Sequence, residues 1–229
     1  MIGVYDYTVV LTYLSLISAC GGIIVSLWGD GHPYIGMFCL LLSGLCDAFD
    51  GPVARTKKNR TARQENFGIQ IDSLTDLVAF GVLPACIGGA MIRVSPGMHL
   101  LEQARPGVFW ALRVGMCAVL VLYVLAAMIR LAYFNVTEQE RKQTETGTRK
   151  YYTGLPVTAA ALIVPLVLLL QYLIPADLTP CYFLTIAITG AAFLMRFHIK
   201  KPGLRGVLIL VGLGALEFVL ILLCEVLIR

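Results

Sequence analysis

The sequence predicts an all-α integral membrane fold. Three features carry that prediction: too few charges for a soluble domain, apolar runs of membrane-crossing length, and basic residues gathered between alternate runs. Of the 229 residues, 58% are hydrophobic and only 14% charged, with a mean hydropathy of +0.81. A soluble domain carries about 25% charged residues. The apolar residues fall in runs of about 20, the length an α-helix needs to cross a hydrocarbon layer. Spans are predicted over residues 8–28, 32–54, 69–92, 108–132, 154–174, 179–197 and 206–228. The first is read as an uncleaved span. Ile17-Ser18-Ala19-Cys20 imitates a cleavage site, but residues 1–27 contain no Lys or Arg to form the basic leader of a signal peptide.

Charge then sets the orientation, because Lys and Arg near membrane ends mark the cytoplasmic side. The loop after the second span holds Arg55, Lys57, Lys58, Arg60 and Arg63. The segment after the fourth holds Arg130, Arg141, Lys142, Arg149 and Lys150, and that after the sixth Arg196, Lys200, Lys201 and Arg205. The four others of the 18 basic residues are Arg93, Arg105, Arg113 and Arg229. Seven alternating spans thus put the N-terminus and all three basic segments in the cytoplasm and the C-terminus outside. The basic clusters read as topology signals, and no nucleic-acid partner is expected.

The chain is expected to form a single transmembrane domain over residues 1–229. Its longest polar stretch, 135–153, reads as a cytoplasmic connector that is helical in part, since Glu138 and Lys142 stand at i, i+4. Gly29–His32 and Ala176–Thr179 read as short outer loops, and 93–107 as a longer one. The seven cysteines are scattered through the spans with no C-x-x-C pair, which argues against a disulfide framework or a zinc site. Glu217 falls in the middle of the seventh span, where it would face a dimer contact or a polar cavity.

Ionisable residues inside membrane helices are costly and therefore informative. The second span ends Asp47-Ala48-Phe49-Asp50-Gly51-Pro52-Val53-Ala54-Arg55, and the third opens Gly68-Ile69-Gln70-Ile71-Asp72-Ser73-Leu74-Thr75-Asp76. Asp47 and Asp50 stand at i, i+3, and Asp72 and Asp76 at i, i+4, so each pair shares one helix face. Antiparallel packing of the two spans brings the four carboxylates to one level. Their mutual repulsion calls for cations between them. Oxygen-only ligands suit hard cations, Mg²⁺ or Mn²⁺, with Ca²⁺ as another. Four carboxylates suffice for a two-metal site that clamps a phosphate during in-line displacement. Gly51 admits a bulky ligand to the backbone, and Arg55 can meet a phosphate as a charged fork.

The pattern Asp47-x-x-Asp50-Gly51-x-x-Ala54-Arg55 … Gly68-x-x-x-Asp72-x-x-x-Asp76 resembles the signature of the CDP-alcohol phosphotransferases. The spacer from Arg55 to Gly68 is longer than the family usually shows, and the extra residues, within Thr56–Phe67, are expected to lengthen the loop. The resemblance implies six core helices around a cytoplasm-facing cavity, with a seventh helix in addition, and a homodimer. It implies that Asp47, Asp50 and Asp72 hold the metals, with Asp76 completing the cluster and acting as general base. It also implies that Asp47, Gly51, Ala54, Arg55, Gly68 and Asp72 form the CDP-binding surface.

Three further segments resemble the phosphatidylserine synthase branch of that family: Gln70-Ile71-Asp72-Ser73-Leu74-x-Asp76-x-Val78-x-Phe80-Gly81-Val82-x-Pro84, Arg130-Leu131-Ala132-Tyr133-Phe134-Asn135, and Gly154-Leu155-Pro156-x-x-Ala159-Ala160-Ala161. Tyr133 stands where that branch usually has Arg, and Thr158 where it usually has Pro. This resemblance implies a bilayer enzyme, placed in a bacterial cell membrane, that uses CDP-diacylglycerol and L-serine. Arg130 and Asn135 are the candidates for holding serine. Pro84 is also expected to kink its helix. The rivals are a sister enzyme using inositol, inositol phosphate or glycerol phosphate, a membrane prenyltransferase, and a divalent-cation transporter. A prenyltransferase normally carries its aspartate motifs in separate halves of a longer chain. A transporter tends to place its ion site near the midplane between repeats, and no repeat is seen here.

Overall fold

The helices begin where the sequence supplies start signals. Pro33, Pro96, Pro106 and Pro180 each occupy a first-turn position, where a missing N–H removes no helical hydrogen bond. The structure, a computed structural model, describes residues 3, 5–28, 32–144, 151–174, 176–200, 206, 209, 211–217, 219–220 and 223. A 3₁₀ turn, Tyr7–Val9, leads into α1 (Val10–Leu27), which is followed by α2 (Pro33–Thr56) and α3 (Ala62–Asp76). A π-helical turn, Leu77–Val82, joins α3 to α4 (Leu83–Val94), and α5 (Pro96–Ala104) leads to α6 (Pro106–Thr144). The rest is β1 (Tyr151–Thr153), a 3₁₀ turn at Val157–Ala159, α7 (Ala160–Leu173), α8 (Thr179–Leu194) and β2 (His198–Lys200).

Four helical stretches, Tyr7–Leu27, Pro33–Thr56, Ala62–Val94 and Pro106–Arg141, are long and apolar enough to cross a membrane, and the apolar α7 and α8 are shorter. The chain is a multi-pass, all-helical membrane protein apart from one small ribbon. Its outward faces carry exposed Leu14, Ile17, Val121, Leu122, Leu184 and Ile188, as a lipid-facing surface requires. The stretch Ala62–Val94 is the most buried of the four. Its Phe80, Leu83 and Ile87 share the core with Tyr123, Tyr182 and Ile186.

The π turn has a local cause. Pro84 has no N–H to give the Phe80 carbonyl, and its ring crowds that carbonyl. The chain answers by widening: Leu83 N–H bonds back five residues to Val78. The Phe80 carbonyl is served from α6 by the Tyr123 hydroxyl at 2.7 Å, and the Pro84 carbonyl from α8 by Tyr182 at 2.6 Å. The kink expected at Pro84 thus takes the form of a π turn braced by two buried tyrosines, immediately after Asp76.

Several sequence expectations are corrected. The extra residues within Thr56–Phe67 extend helices more than they lengthen a loop. Thr56 closes α2, and α3 starts at Ala62 behind a capping box in which Thr61 Oγ1 accepts from Gln64 N–H and Gln64 Oε1 from Thr61 N–H. The segment 93–107, expected as an outer loop, contains α5, capped by Ser95, whose Oγ accepts from Met98 N–H at 3.1 Å. α6 runs on to Thr144 through much of the polar connector. There Glu138 pairs with Arg141 at i, i+3, while the Lys142 side chain lies outside the described residues. β1 and β2 form an antiparallel ribbon that the sequence reading did not include. Of the seventh span, residues 211–217 are described and helical, beside Leu162 of α7 at Gly214; much of the remainder lies outside the described residues. Gly29–Gly31 and Cys224 lie outside them as well.

Candidate metal and active site

α2 and α3 run antiparallel, and their facing register pairs Asp47 with Asp76 and Asp50 with Asp72, each within hydrogen-bonding reach. Asp47, Asp50 and Asp72 each present a carboxylate oxygen, and the three oxygens lie within 4.8 Å of one another. A hard cation sits roughly 2.0–2.6 Å from each oxygen ligand, so ligands around one ion lie no more than about 5 Å apart. The triad meets that requirement. Asp76 stands outside it and reaches it through Asp47. The four residues expected to converge therefore divide into three that share one point and one beside it. Among the described residues, no Lys or Arg forms an ion pair with any of the four. Like charges gathered with no ion-pair partner among the described residues fit a site that takes a cation.

The residues below the triad are small. Gly51 and Ala54 follow Asp47 at i+4 and i+7 on the same helix face, and Gly68 precedes Asp72 by four on the facing helix. A Cβ at Gly51 would meet only the Arg55 guanidinium, at 3.5 Å or more, and a Cβ at Gly68 would come within 2.8 Å of Arg60 Nη2. Each glycine thus lies beneath a guanidinium. Arg55, which the sequence reading offered as a charged fork for a phosphate, is exposed. Arg60, which that reading treated only as a topology signal, joins it, with a buried Nε that has no hydrogen-bond partner.

The two acceptor candidates separate. Asn135 Nδ2 donates to Ser73 Oγ at 2.8 Å, which ties α6 to α3 one residue past Asp72. Arg130 is buried and directs Nε to the Leu155 carbonyl at 3.0 Å and Nη2 to that of Gly154 at 3.4 Å. Gly154 has a φ of +79° and takes the left-handed conformation that glycine adopts without penalty. Beside that turn, Arg130, Tyr133, Thr153, Met195 and Arg196 line a cavity of about 190 Å³. Five residues of helix turn through about 140°, so Arg130 and Asn135 face different neighbours.

Sequence reasoning missed Thr12. It stands on α1, outside every motif, yet its hydroxyl donates to Asp50 Oδ2 at 3.1 Å. The signal was present: Thr12, Ser15 and Ser18 form a row of hydroxyls along one face of an otherwise apolar helix.

Residues 8–195 match the sequence profile of the CDP-alcohol phosphatidyltransferase family. The chain is 36% identical over 141 residues to a CDP-diacylglycerol–serine O-phosphatidyltransferase of Saccharomyces cerevisiae, covering 60% of this chain and 43% of that protein. It is 32% identical over 176 residues to a protein of the same description from Helicobacter pylori, with 75% and 62% covered, and 31% identical over 193 residues to one from Mycobacterium leprae, with 82% and 57% covered. The chain therefore spans about half the length of the curated relatives it matches.

Proposed function

Because the chain belongs to the CDP-alcohol phosphatidyltransferase family, we propose that it transfers the phosphatidyl group of CDP-diacylglycerol to the hydroxyl of L-serine, giving phosphatidylserine and CMP. The observation that carries the reading is the aspartate arrangement: three carboxylates at one point, a fourth beside them, and a floor of small residues under two guanidinium groups. A divalent cation held by Asp47, Asp50 and Asp72 would draw charge from the diphosphate and from the departing CMP. The ions such oxygens suit are Mg²⁺, Mn²⁺ and Ca²⁺.

The chain's own residues divide the remaining work. Gly51, Ala54 and Gly68 leave room between α2 and α3 for the CDP moiety, and Arg55 and Arg60 offer N–H donors to its phosphates. Asp76, outside the triad, would accept the proton of the serine hydroxyl. The serine oxygen then bonds to the lipid-side phosphorus while the bond from that phosphorus to the CMP oxygen breaks. Asn135, next to the α3 carboxylates through Ser73, is the nearer acceptor candidate. Arg130 would meet a serine carboxylate from the cavity it lines, with its Nε–Nη2 edge already on the Gly154–Leu155 turn. The similar proteins named above are serine O-phosphatidyltransferases, which favours serine over inositol, inositol phosphate or glycerol phosphate.

The carboxylate end of the bundle is taken to face the cytoplasm of a bacterial cell and the protein to act as a homodimer. The first of these rests on Arg55, Lys57, Lys58, Arg60 and Arg63 lying at that end. Labelling of Asn59→Cys from outside intact cells, in a variant without native cysteines, would contradict it. The test of function is CMP release from CDP-diacylglycerol by the purified protein with serine, inositol, inositol phosphate and glycerol phosphate offered in parallel. Release that depends on serine alone is expected. Release that depends on another alcohol would reassign the acceptor.

A further inference from the structure

α1 carries none of the family motif, and its polar face has a regular purpose until it reaches the site. Ser18 Oγ donates to the Cys39 carbonyl at 2.9 Å. Ser15 Oγ donates to the Ser43 carbonyl at 3.3 Å, and Ser43 Oγ returns a bond to the Ser15 carbonyl at 3.0 Å. Hydroxyls on one face of a membrane helix commonly bridge to a neighbouring helix in this way. Thr12 continues the row by one turn, but what it meets on α2 is a carboxylate, that of Asp50.

Thr12 is 4% exposed, so its O–H must find an acceptor within the protein. A threonine in a helix can satisfy itself on the carbonyl one turn back; this one donates across the interface instead. Its position is fixed from both sides. Toward the bundle interior stand the reciprocal Ser15–Ser43 bonds. Toward the mouth, Tyr7 Oη meets Thr56 Oγ1 at 3.2 Å, and Asp6 pairs with Lys57. The hydroxyl is therefore a fixed donor aimed at one oxygen of the Asp50 carboxylate, and holding that oxygen sets the direction of the other.

We infer that Thr12 is a positioning residue for the metal site: its hydroxyl holds the Asp50 carboxylate in the orientation that lets Asp47, Asp50 and Asp72 share one cation. The inference rests on the metal-assisted reading above and extends the site to a third helix. Groups that orient metal ligands contribute to affinity although they never touch the ion.

The test is direct Mn²⁺ titration of the purified full chain, without substrates, reading the paramagnetic resonance signal of free Mn²⁺. Thr12→Val keeps the volume and removes the donor, and it should raise the Kd about tenfold, while Thr12→Ser should return it to within about twofold of the unaltered protein. Ser15→Ala removes a hydroxyl from the same interface without touching a carboxylate, and should leave the Kd within about twofold. If Thr12→Val does not fold, Thr12→Ala takes its place. An unchanged Kd in the Thr12 variant, a failure of Ser to restore it, or an equal loss in Ser15→Ala would each overturn the inference. Absence of saturable Mn²⁺ binding in the unaltered protein would remove the metal reading and this inference with it. Binding there that Thr12→Val leaves intact would remove the inference alone.

Discussion

Two ends of the same bundle are organised around aspartate, in opposite ways. At the end formed by α4, α5 and α8, Asp177 is surrounded by donors: Ser95 Oγ–H, Gly97 N–H at 3.1 Å and Thr179 N–H at 3.0 Å. One carboxylate there closes the first turns of two helices, and Arg93 caps the last carbonyls of α1 at Ser26 and Leu27. At the other end, four carboxylates face one another, and the side-chain hydroxyl given to them is that of Thr12. A carboxylate whose oxygens are met by N–H and O–H groups is finished as structure. Carboxylates that meet mainly each other are not, and a partner from solution completes them. The contrast separates a residue that holds the fold from residues that serve a reaction.

Removing the cation should separate the two ends most sharply. Chelation is expected to abolish CMP release and leave the fold intact, with activity returning on Mg²⁺ or Mn²⁺; full turnover after exhaustive chelation would show that the carboxylate end needs no ion. Next in size is Asp76→Asn, expected to lower turnover by about 10²–10⁴-fold while CDP-diacylglycerol still binds, as loss of a general base does. Near-normal turnover would move that role to another residue.

Stability should respond with opposite signs at the two ends. Asp177→Ala should cost about 1–2 kcal/mol, the usual cost of losing a helix cap, with turnover preserved. Asp47→Asn in chelator should instead stabilise by about 1 kcal/mol, the scale of one like-charge contact at a partly wet site. Melting midpoints in detergent read both, and a loss of stability in each would erase the distinction.

The smallest effect is one of pH. Burial alone would raise the Asp177 carboxyl, but the bonds from Ser95, Thr179 and Gly97 outweigh it and hold it below its ordinary value of 3.8. A depressed value means that the stabilisation is fully present above 3.8 and lost as pH falls through the folded value. Hydrogen-exchange protection of the Gly97 and Thr179 amides, relative to their intrinsic rates at each pH, should therefore fall as that range is entered. Amides already exchanging freely at neutral pH would show that the clamp does not hold.

What the sequence determined by itself follows from periodicity and charge. Six of the predicted apolar runs fall on helices α1, α2, the α3–α4 stretch, α6, α7 and α8, four of these stretches being long and apolar enough to cross a membrane, because apolar length and helical spacing are local properties. The pairs Asp47/Asp50 and Asp72/Asp76 were legible for the same reason, since residues three and four apart on a helix share a face whatever packs against it; Ala54 and Gly68 entered only through the resemblance to the family signature. Thr61 with Gln64, and Ser95 followed by Pro96, announced the starts of α3 and α5 in the same local code, although the reading took both segments for loops. The tertiary structure decided the rest. Which three carboxylates meet depends on the register of α2 against α3. The division of Arg130 from Asn135 depends on how α6 is rotated between α3 and the Gly154 turn. Thr12 reaches Asp50 across 38 positions of chain, a pairing that no local pattern specifies, because it exists only once α1 has packed against α2.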